Sequence, residues 1–511
     1  MKNGLPKIDK KAINLSEYPL MKILFFCVTS LLVSATVMVD LSPERFIGGT
    51  LIALVLLFTF YRDIMRYKPS YVENNSMLLL LGLMIVNTLI IGRLFEYILL
   101  NFSKGLGFIS PDIAVYGIPI AAGAMLVTLL FDFHAAITFS FIISLLTGYW
   151  MNNALFPIYT FIGSLTAAFT VIRCKKRSAL LRGGLYVAAA NIVIVLTLLI
   201  SSGEIFTIKT PYALIFAIFS GIVVSAIVSL LLPLLEYTFK VTTDISLLEL
   251  LDLNQPLMKT LMITAPGTYH HSVIVGSLVE SAAEAVGVNP LLARVSSYYH
   301  DIGKIKMPDY FVENQASGTS NKHDKLTPHM SSIIITSHVK EGVELAKQHK
   351  LPQSIIDIIK QHHGTAIITY FFQKAKEQEP FSTHAEDEYK YLGPKPQTRV
   401  AALVMMADAV EAASRVLNDP TPSRIAALID KIINHIFLDG QLDECELTLK
   451  DISEIKQNFS YILTGIFHKR IDYPGFDFSH EGIHKEPATN EKAQPAEDKK
   501  GLKQNATSFK P

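Results

Sequence analysis

Tyr298-Tyr299-His300-Asp301-Ile302-Gly303-Lys304 is the stretch on which the reading of this chain turns. A histidine followed at once by an aspartate offers one imidazole nitrogen and one carboxylate oxygen. With apolar Ile302 and a potentially turn-forming Gly303 behind it, the pair suits a metal site at the end of a helix. Alone it would be an ordinary surface dipeptide, but its company is unusual. Tyr269-His270-His271-Ser272 lies upstream, and His338, Gln361-His362-His363-Gly364 and Asp408 follow downstream. Ten of the fifteen histidines fall between positions 270 and 384.

Helical periodicity puts these residues on five segments. Residues 268–286 carry an apolar stripe (Val273, Val275, Leu278, Val279, Ala282), and of the adjacent histidines His271 lies nearer the stripe. Residues 289–301 deliver His300 and Asp301 at a helix end, 331–349 carry His338, and 352–362 end in His362-His363 before a capping Gly364. Residues 398–417 hold Asp408 among Val400, Leu403, Val404 and Met405, where an unpaired carboxylate is costly. Each residue has a bland explanation by itself: a satisfied core histidine, a solvated charge. Seven inward-facing donors on five helices do not share one.

The donor set points to chemistry. Five imidazoles (271, 300, 338, 362, 363) with Asp301 and Asp408 exceed what one four-coordinate zinc accepts and contain no sulfur. They suit Mn or Fe, with Co and Ni also compatible. Two such ions sharing a carboxylate would hold a bridging hydroxide and clamp phosphoryl oxygens, the arrangement for hydrolysing a phosphate ester. Lys304, one helical turn on, is either a charge-stabilising or phosphate-contacting group or a solvated lysine.

The rest of the chain sets the context. Half of the 511 residues are hydrophobic, 18% are charged, and the mean hydropathy is +0.34, too apolar for an ordinary soluble protein. The excess is confined to the first half, so a membrane module precedes a soluble one. A net charge of +1 argues against a DNA or RNA polymer as partner. The three cysteines (27, 174, 445) lie far apart, which argues against a disulfide framework or a zinc knuckle. After a basic segment over 1–20, with no convincing cleavage site, apolar runs at 22–39, 46–61, 77–99, 113–131, 134–150, 154–172, 183–201 and 212–235 give eight spans, or seven if cut differently. Arg62, Arg66, Lys68 and the Arg173–Arg182 cluster then fall on the inner side, which leaves everything after 236 in the cytoplasm. Arg93 and Glu96 are at pairing distance along one helix. With so few ionisable groups inside the spans, the module reads as anchor and sensor rather than conduit. Residues 237–263 read as an amphipathic coupling helix and 264–472 as an all-helical soluble domain. The tail, 473–511, is too polar to fold. The expected fold is therefore all-α, a polytopic transmembrane bundle followed by a cytosolic helical domain.

The pattern His271, His300-Asp301, Asp408 resembles the HD-domain metallohydrolase superfamily, and His338 with His362-His363 resembles its two-metal members. More specifically, Ala265–Ser272, His300–Lys304, Pro308–Asn314, Leu326-Thr327-Pro328, Gln361–Thr365 and Gly393–Thr398 are similar to the membrane-anchored PgpH-type family. Members of that family hydrolyse cyclic di-AMP to the linear dinucleotide pApA in bacteria. The resemblance implies that His271, His300, Asp301 and Asp408 bind one metal, and that Asp301 bridges to a second held by His338, His362 and His363. It also implies a cyclic dinucleotide contacted by Lys304, Lys395 and Gln397, and a bacterial inner-membrane location with the HD domain cytoplasmic. A homodimer is left open. The sequence departs from the family in one respect: only about residues 40–46 separate the first two spans, where family members carry a large extracytoplasmic domain. That removes support for external ligand sensing. The Gly-Tyr-Pro element of relatives that hydrolyse cyclic di-GMP is replaced here by Gly364-Thr365-Ala366-Ile367.

Overall fold

The computed structural model describes residues 19–38, 43–172, 174, 176–316, 318, 320–378 and 386–467. The basic start, the end of the expected soluble domain at 472 and the tail from 473 lie outside them. Apart from one isolated bridge between Ile367 and Lys390, the described residues form helices and turns.

The first half comprises α1 (Pro19–Val37), α2 (Pro43–Tyr67), α3 (Asn75–Leu106), α4 (Ala121–Leu130), α5 (Phe133–Met151), α6 (Phe156–Thr170), α7 (Ser178–Ser201) and α8 (Lys209–Phe239). Six stretches are long and apolar enough to cross a membrane: α2, α3, Pro111–Leu130, α5, α7 and α8. Lys22–Val37 and α6 are shorter apolar helices. The bundle is apolar on both faces. In α2, Gly49, Ala53, Leu57, Phe60 and Ile64 are buried at helical spacing, while Ile47, Leu51, Val55 and Phe58 point outward and are exposed. Such an outer surface is stable against lipid and not against water, so this is a multi-pass membrane protein.

Polar groups close the bundle rather than line a path. Arg93 Nη1 lies 2.9 Å from Glu96 Oε2, as the helical spacing suggested. The guanidinium also donates to the carbonyls of Thr36 (2.7 Å) and Val37 (2.6 Å), satisfying two acceptors at the open end of α1. Trp150 Nε1 donates to the same Glu96 oxygen (3.0 Å).

The expected single helix over 237–263 is absent. Instead α8 runs to Phe239 and stops at Lys240 in left-handed backbone. Thr243 then caps α9 (Asp244–Leu250), and Pro256 starts α10 (Pro256–Thr264). The periodic leucines misled because they serve two cores. Ile245 packs in the membrane-half core, whereas Leu247, Leu257, Met258 and Leu261 pack in that of the soluble domain. The junction is tied further by Arg177 paired to Glu249 (2.7 Å) and by Thr242 hydrogen-bonded to Ser354 (3.0 Å).

The soluble domain continues as α11 (Pro266–Ala285), α12 (Pro290–Tyr299), a series of 3-10 turns from Ile302 to Lys325, α13 (Pro328–Gln348), α14 (Gln353–Gln361), α15 (Thr369–Gln378), α16 (Arg399–Ser414), α17 (Pro422–Leu438) and α18 (Leu449–Ile466). Its starts follow familiar signals: Asn289, Thr327 and Thr398 cap α12, α13 and α16 by accepting backbone N–H groups, with proline in the first turn of the first two. Val295, Tyr298, Tyr299, Ile302, Ile355 and Ile359 fill the core directly beneath the histidine-rich helix ends.

Candidate metal centre

The five ligand-bearing segments become α11, α12, α13, α14 and α16, and their inner ends meet. On α11 His271 is buried and its neighbour His270 is exposed, so the apolar stripe picks out the histidine that faces inward. His300 and Asp301 follow the last turn of α12. Gly303, expected as a turn, has another purpose: a Cβ there would lie 1.8 Å from the His338 carbonyl oxygen. Its missing side chain lets the turn after Asp301 press onto α13, which sets Asp301 against His338. Gly364 holds φ 53° and ends α14 directly after His362-His363.

Two groups of four donors result, sharing one residue. The first is His271, His300, Asp301 and Asp408; the second is Asp301, His338, His362 and His363. Within each, the ligand atoms lie within 4.8 Å of one another. Asp301 divides its oxygens between them. Oδ2 is 3.3 Å from His300 Nε2 and 3.8 Å from His271 Nε2, and Oδ1 is 3.3 Å from His338 Nε2 and 3.7 Å from His362 Nε2. Asp408 Oδ1 accepts from His271 Nε2 (2.9 Å), and its Oδ2 lies 3.6 Å from His363 Nδ1.

Backbone carbonyls orient three of the rings. The Nδ1–H groups of His300, His338 and His362 donate to the carbonyls of Ser297 (2.6 Å), Ile335 (2.6 Å) and Ile359 (2.7 Å), each three residues earlier. A carbonyl can only accept, so each of these rings in its neutral form presents the Nε2 lone pair inward. His338 Nε2 and His362 Nε2 then face each other at 3.3 Å with neither carrying a proton to share. His300 Nε2 and Asp301 Oδ1 are buried with no hydrogen-bond partner. Facing lone pairs and an unsatisfied buried carboxylate are costly, and a divalent cation in each group removes both costs. The all-nitrogen-and-oxygen donor set fits Mn or Fe.

The electrostatics divide the site. Burial alone would lower the His300 pKa, but the Asp301 and Asp408 carboxylates outweigh it and push it up to about 10. His271 is raised likewise, with burial outweighed by Asp408 and Glu411. In the second group burial prevails: His338 falls to about 4, and His363 falls well below the usual range, with His362 adding to the effect. Asp301 and Asp408 stay far below ordinary carboxylate values despite burial, the first through Lys304 and His300 and the second through His271 and His300.

Residues 44–243 match the family model described as a 7TM receptor with intracellular HD hydrolase, and residues 268–413 match the HD domain. The chain belongs to this 7TM–HD family. It is 37% identical over 436 residues to the cyclic-di-AMP phosphodiesterase PgpH of Bacillus subtilis strain 168, covering 84% of this chain and 59% of that protein. It is 43% identical over 343 residues to the PgpH of Listeria monocytogenes, covering 66% of this chain and 47% of that protein. The chain thus spans about half to three fifths of the length of these curated relatives. The solved L. monocytogenes PgpH HD domain in complex with cyclic-di-AMP is 49% identical, covers 43% of this chain and all of its own, and gives a TM-score of 0.40.

In this 7TM–HD protein some participants were not legible in sequence. Glu411, one turn past Asp408, accepts from His271 Nδ1 (2.5 Å) and is itself held by Arg415 (2.6 Å). The spacing Asp408, Glu411, Arg415 along an alanine-rich helix was the available signal. Glu313 accepts from Lys304 (2.8 Å) and Thr268 (3.0 Å), and Tyr391 stacks on His363 with centroids 4.2 Å apart. Lys304 is neither solvated nor free for phosphate. Its ammonium, 2.7 Å from Asp301 Oδ2 and shared with Glu313, orients that carboxylate, and the two acids outweigh burial to raise its pKa. Lys395, expected on the nucleotide, donates to the Gly440 carbonyl (2.8 Å), and Gln397 pairs with Gln361 next to the ligand histidines. A loop from the far end of α17 supplies the Lys395 acceptor, a contact no local pattern announces.

Proposed function

We propose that the protein hydrolyses cyclic di-AMP to linear pApA using two divalent ions, Mn or Fe, in a bacterial cytoplasmic membrane. Eight crossings would leave the HD domain in the cytoplasm. The observation that carries the reading is the sharing of Asp301 between two four-donor groups, and the relatives named as cyclic-di-AMP phosphodiesterases supply the substrate. His271, His300, Asp301 and Asp408 would hold one ion, and Asp301, His338, His362 and His363 the other. When bound, the ions supply water activation and neutralise charge on the phosphoryl oxygens. The chain's own residues prepare for this. Carbonyl-anchored imidazoles aim their Nε2 atoms, Lys304 and Glu313 fix Asp301, and Glu411 with Arg415 fixes His271.

The test is turnover by the purified full-length chain with Mn and a panel of cyclic dinucleotides, with products separated by chromatography. Conversion of cyclic di-AMP to pApA supports the reading. Cleavage of cyclic di-GMP alone overturns the substrate, and tight binding of intact cyclic di-AMP with the metals loaded makes the protein a receptor instead.

A further inference from the structure

Where the last membrane helix enters the soluble domain, the structure forms an open cavity of about 770 Å³, among whose lining residues none is a candidate metal ligand. Glu236, Tyr237 and Lys240 at the end of α8 line one side; Lys347, Lys350 and Gln353, around the turn from α13 to α14, line the other. Among the described residues none of the three ammonium groups has an ion-pair or hydrogen-bond partner. The one carboxylate in the lining is already engaged, accepting from the Thr243 hydroxyl. α14 also begins here without a side-chain cap, at Pro352, turning the positive end of its dipole to the same space. Three exposed lysines against one carboxylate give the cavity a positive lining that suits an anion.

The membrane side says which kind. Leu230, Leu234 and Tyr237 form one stripe along α8, 75%, 58% and 77% exposed, and the stripe runs directly into the cavity wall at Tyr237. An acyl chain lying on that stripe places its phosphate among the lysines. We propose that this cavity binds the phosphate headgroup of an anionic phospholipid, with its chains along Leu230–Leu234–Tyr237 and its phosphate between Lys240, Lys347 and Lys350. The site lies one helix away from the metal centre: α14 starts in the cavity wall at Gln353 and ends beside His362 and His363.

The experiment uses the full-length protein in mild detergent and measures retained phosphatidylglycerol and phosphatidylcholine by native mass spectrometry. Wild type should retain phosphatidylglycerol preferentially. The triple variant Lys240→Gln, Lys347→Gln, Lys350→Gln should bind it on the order of 100-fold more weakly, from the contribution of each lysine to an anionic lipid. Arginine at the three positions should restore retention, and Lys431→Gln, an exposed lysine on α17, should change nothing. An unchanged unfolding temperature in the triple variant separates loss of the site from loss of the fold. Equal retention by the triple variant and wild type overturns the site. Glycerol phosphate binding as tightly as the lipid overturns the lipid as its source.

Discussion

Asp301→Ala removes the one donor common to both groups, and its effects can be worked through in advance. The side chain is 1% exposed, so no water replaces it readily. The second group keeps three imidazoles and loses its only anion, while the first keeps Asp408. Removing partners that merely orient a ligand costs 10–100-fold in metal affinity, so loss of a direct anionic ligand should cost at least about 100-fold. At a Mn concentration 100 times the wild-type Kd, binding stabilises the folded state by about 2.7 kcal/mol per ion; a 100-fold weaker site retains about 0.4 kcal/mol of that. The fold itself loses about 3 kcal/mol, the low end for breaking a buried pair, because Glu313 stays 2.8 Å from the Lys304 ammonium. The variant should therefore remain in the membrane, turn over no substrate, carry less than one equivalent of metal by elemental analysis, and lose most of the Mn-dependent rise in unfolding temperature. A wild-type metal content in purified Asp301→Ala would refute the shared-carboxylate arrangement outright.

Further outcomes follow from the same geometry. Glu411→Gln should weaken metal binding about 10–100-fold at the His271 group, seen as partial metal loss while insertion is normal. Because the Asp301 and Asp408 carboxylates outweigh burial and push the His300 pKa up to about 10, that ring is protonated without metal at pH 7, and loading the group must expel its proton; Asp408 and Glu411 shift His271 in the same direction. The affinity of that group should rise as pH rises toward 10, about tenfold per unit for each proton released. In the second group burial lowers His338 and His363, and those two rings should take up metal without such release; calorimetry in buffers of differing ionisation enthalpy distinguishes the two groups. Gly303→Ala should abolish loading of both ions, since backbone lies on the far side of the 1.8 Å clash and cannot rotate away; a fully metallated Gly303→Ala protein would contradict the close approach.

The helices and their donors were legible because period and chemistry coincide. Apolar stripes placed the helices, and an aspartate amid Val400–Met405 had to be partnered; the caps Asn289, Thr327 and Thr398 set the actual starts, and Thr327 begins α13 at Pro328, three residues before the expected 331. The 237–263 stretch was misread because hydrophobic periodicity records that a residue is buried and not where. Ile245 and Leu247 are two positions apart on α9 and both 1% exposed, yet they belong to different cores, because about 200° of helical turn between them puts them on opposite faces.

Lys304 shows the same limit at the scale of a single side chain. Its place three residues after Asp301 suggested a cation near the chemistry, and the cation is there. Its direction is decided by Glu313, which the 3-10 turns after Ile302 fold back to 2.8 Å from the ammonium. A lysine held by two carboxylates in a buried site is strongly favoured in its charged form and has little freedom to follow a substrate. It acts on Asp301, and through Asp301 on both ligand groups at once. The separation of the two groups is consequently set by one carboxylate whose orientation is fixed from behind. A site built this way has a definite spacing before any ion arrives, which is what clamping a phosphoryl group between two cations requires.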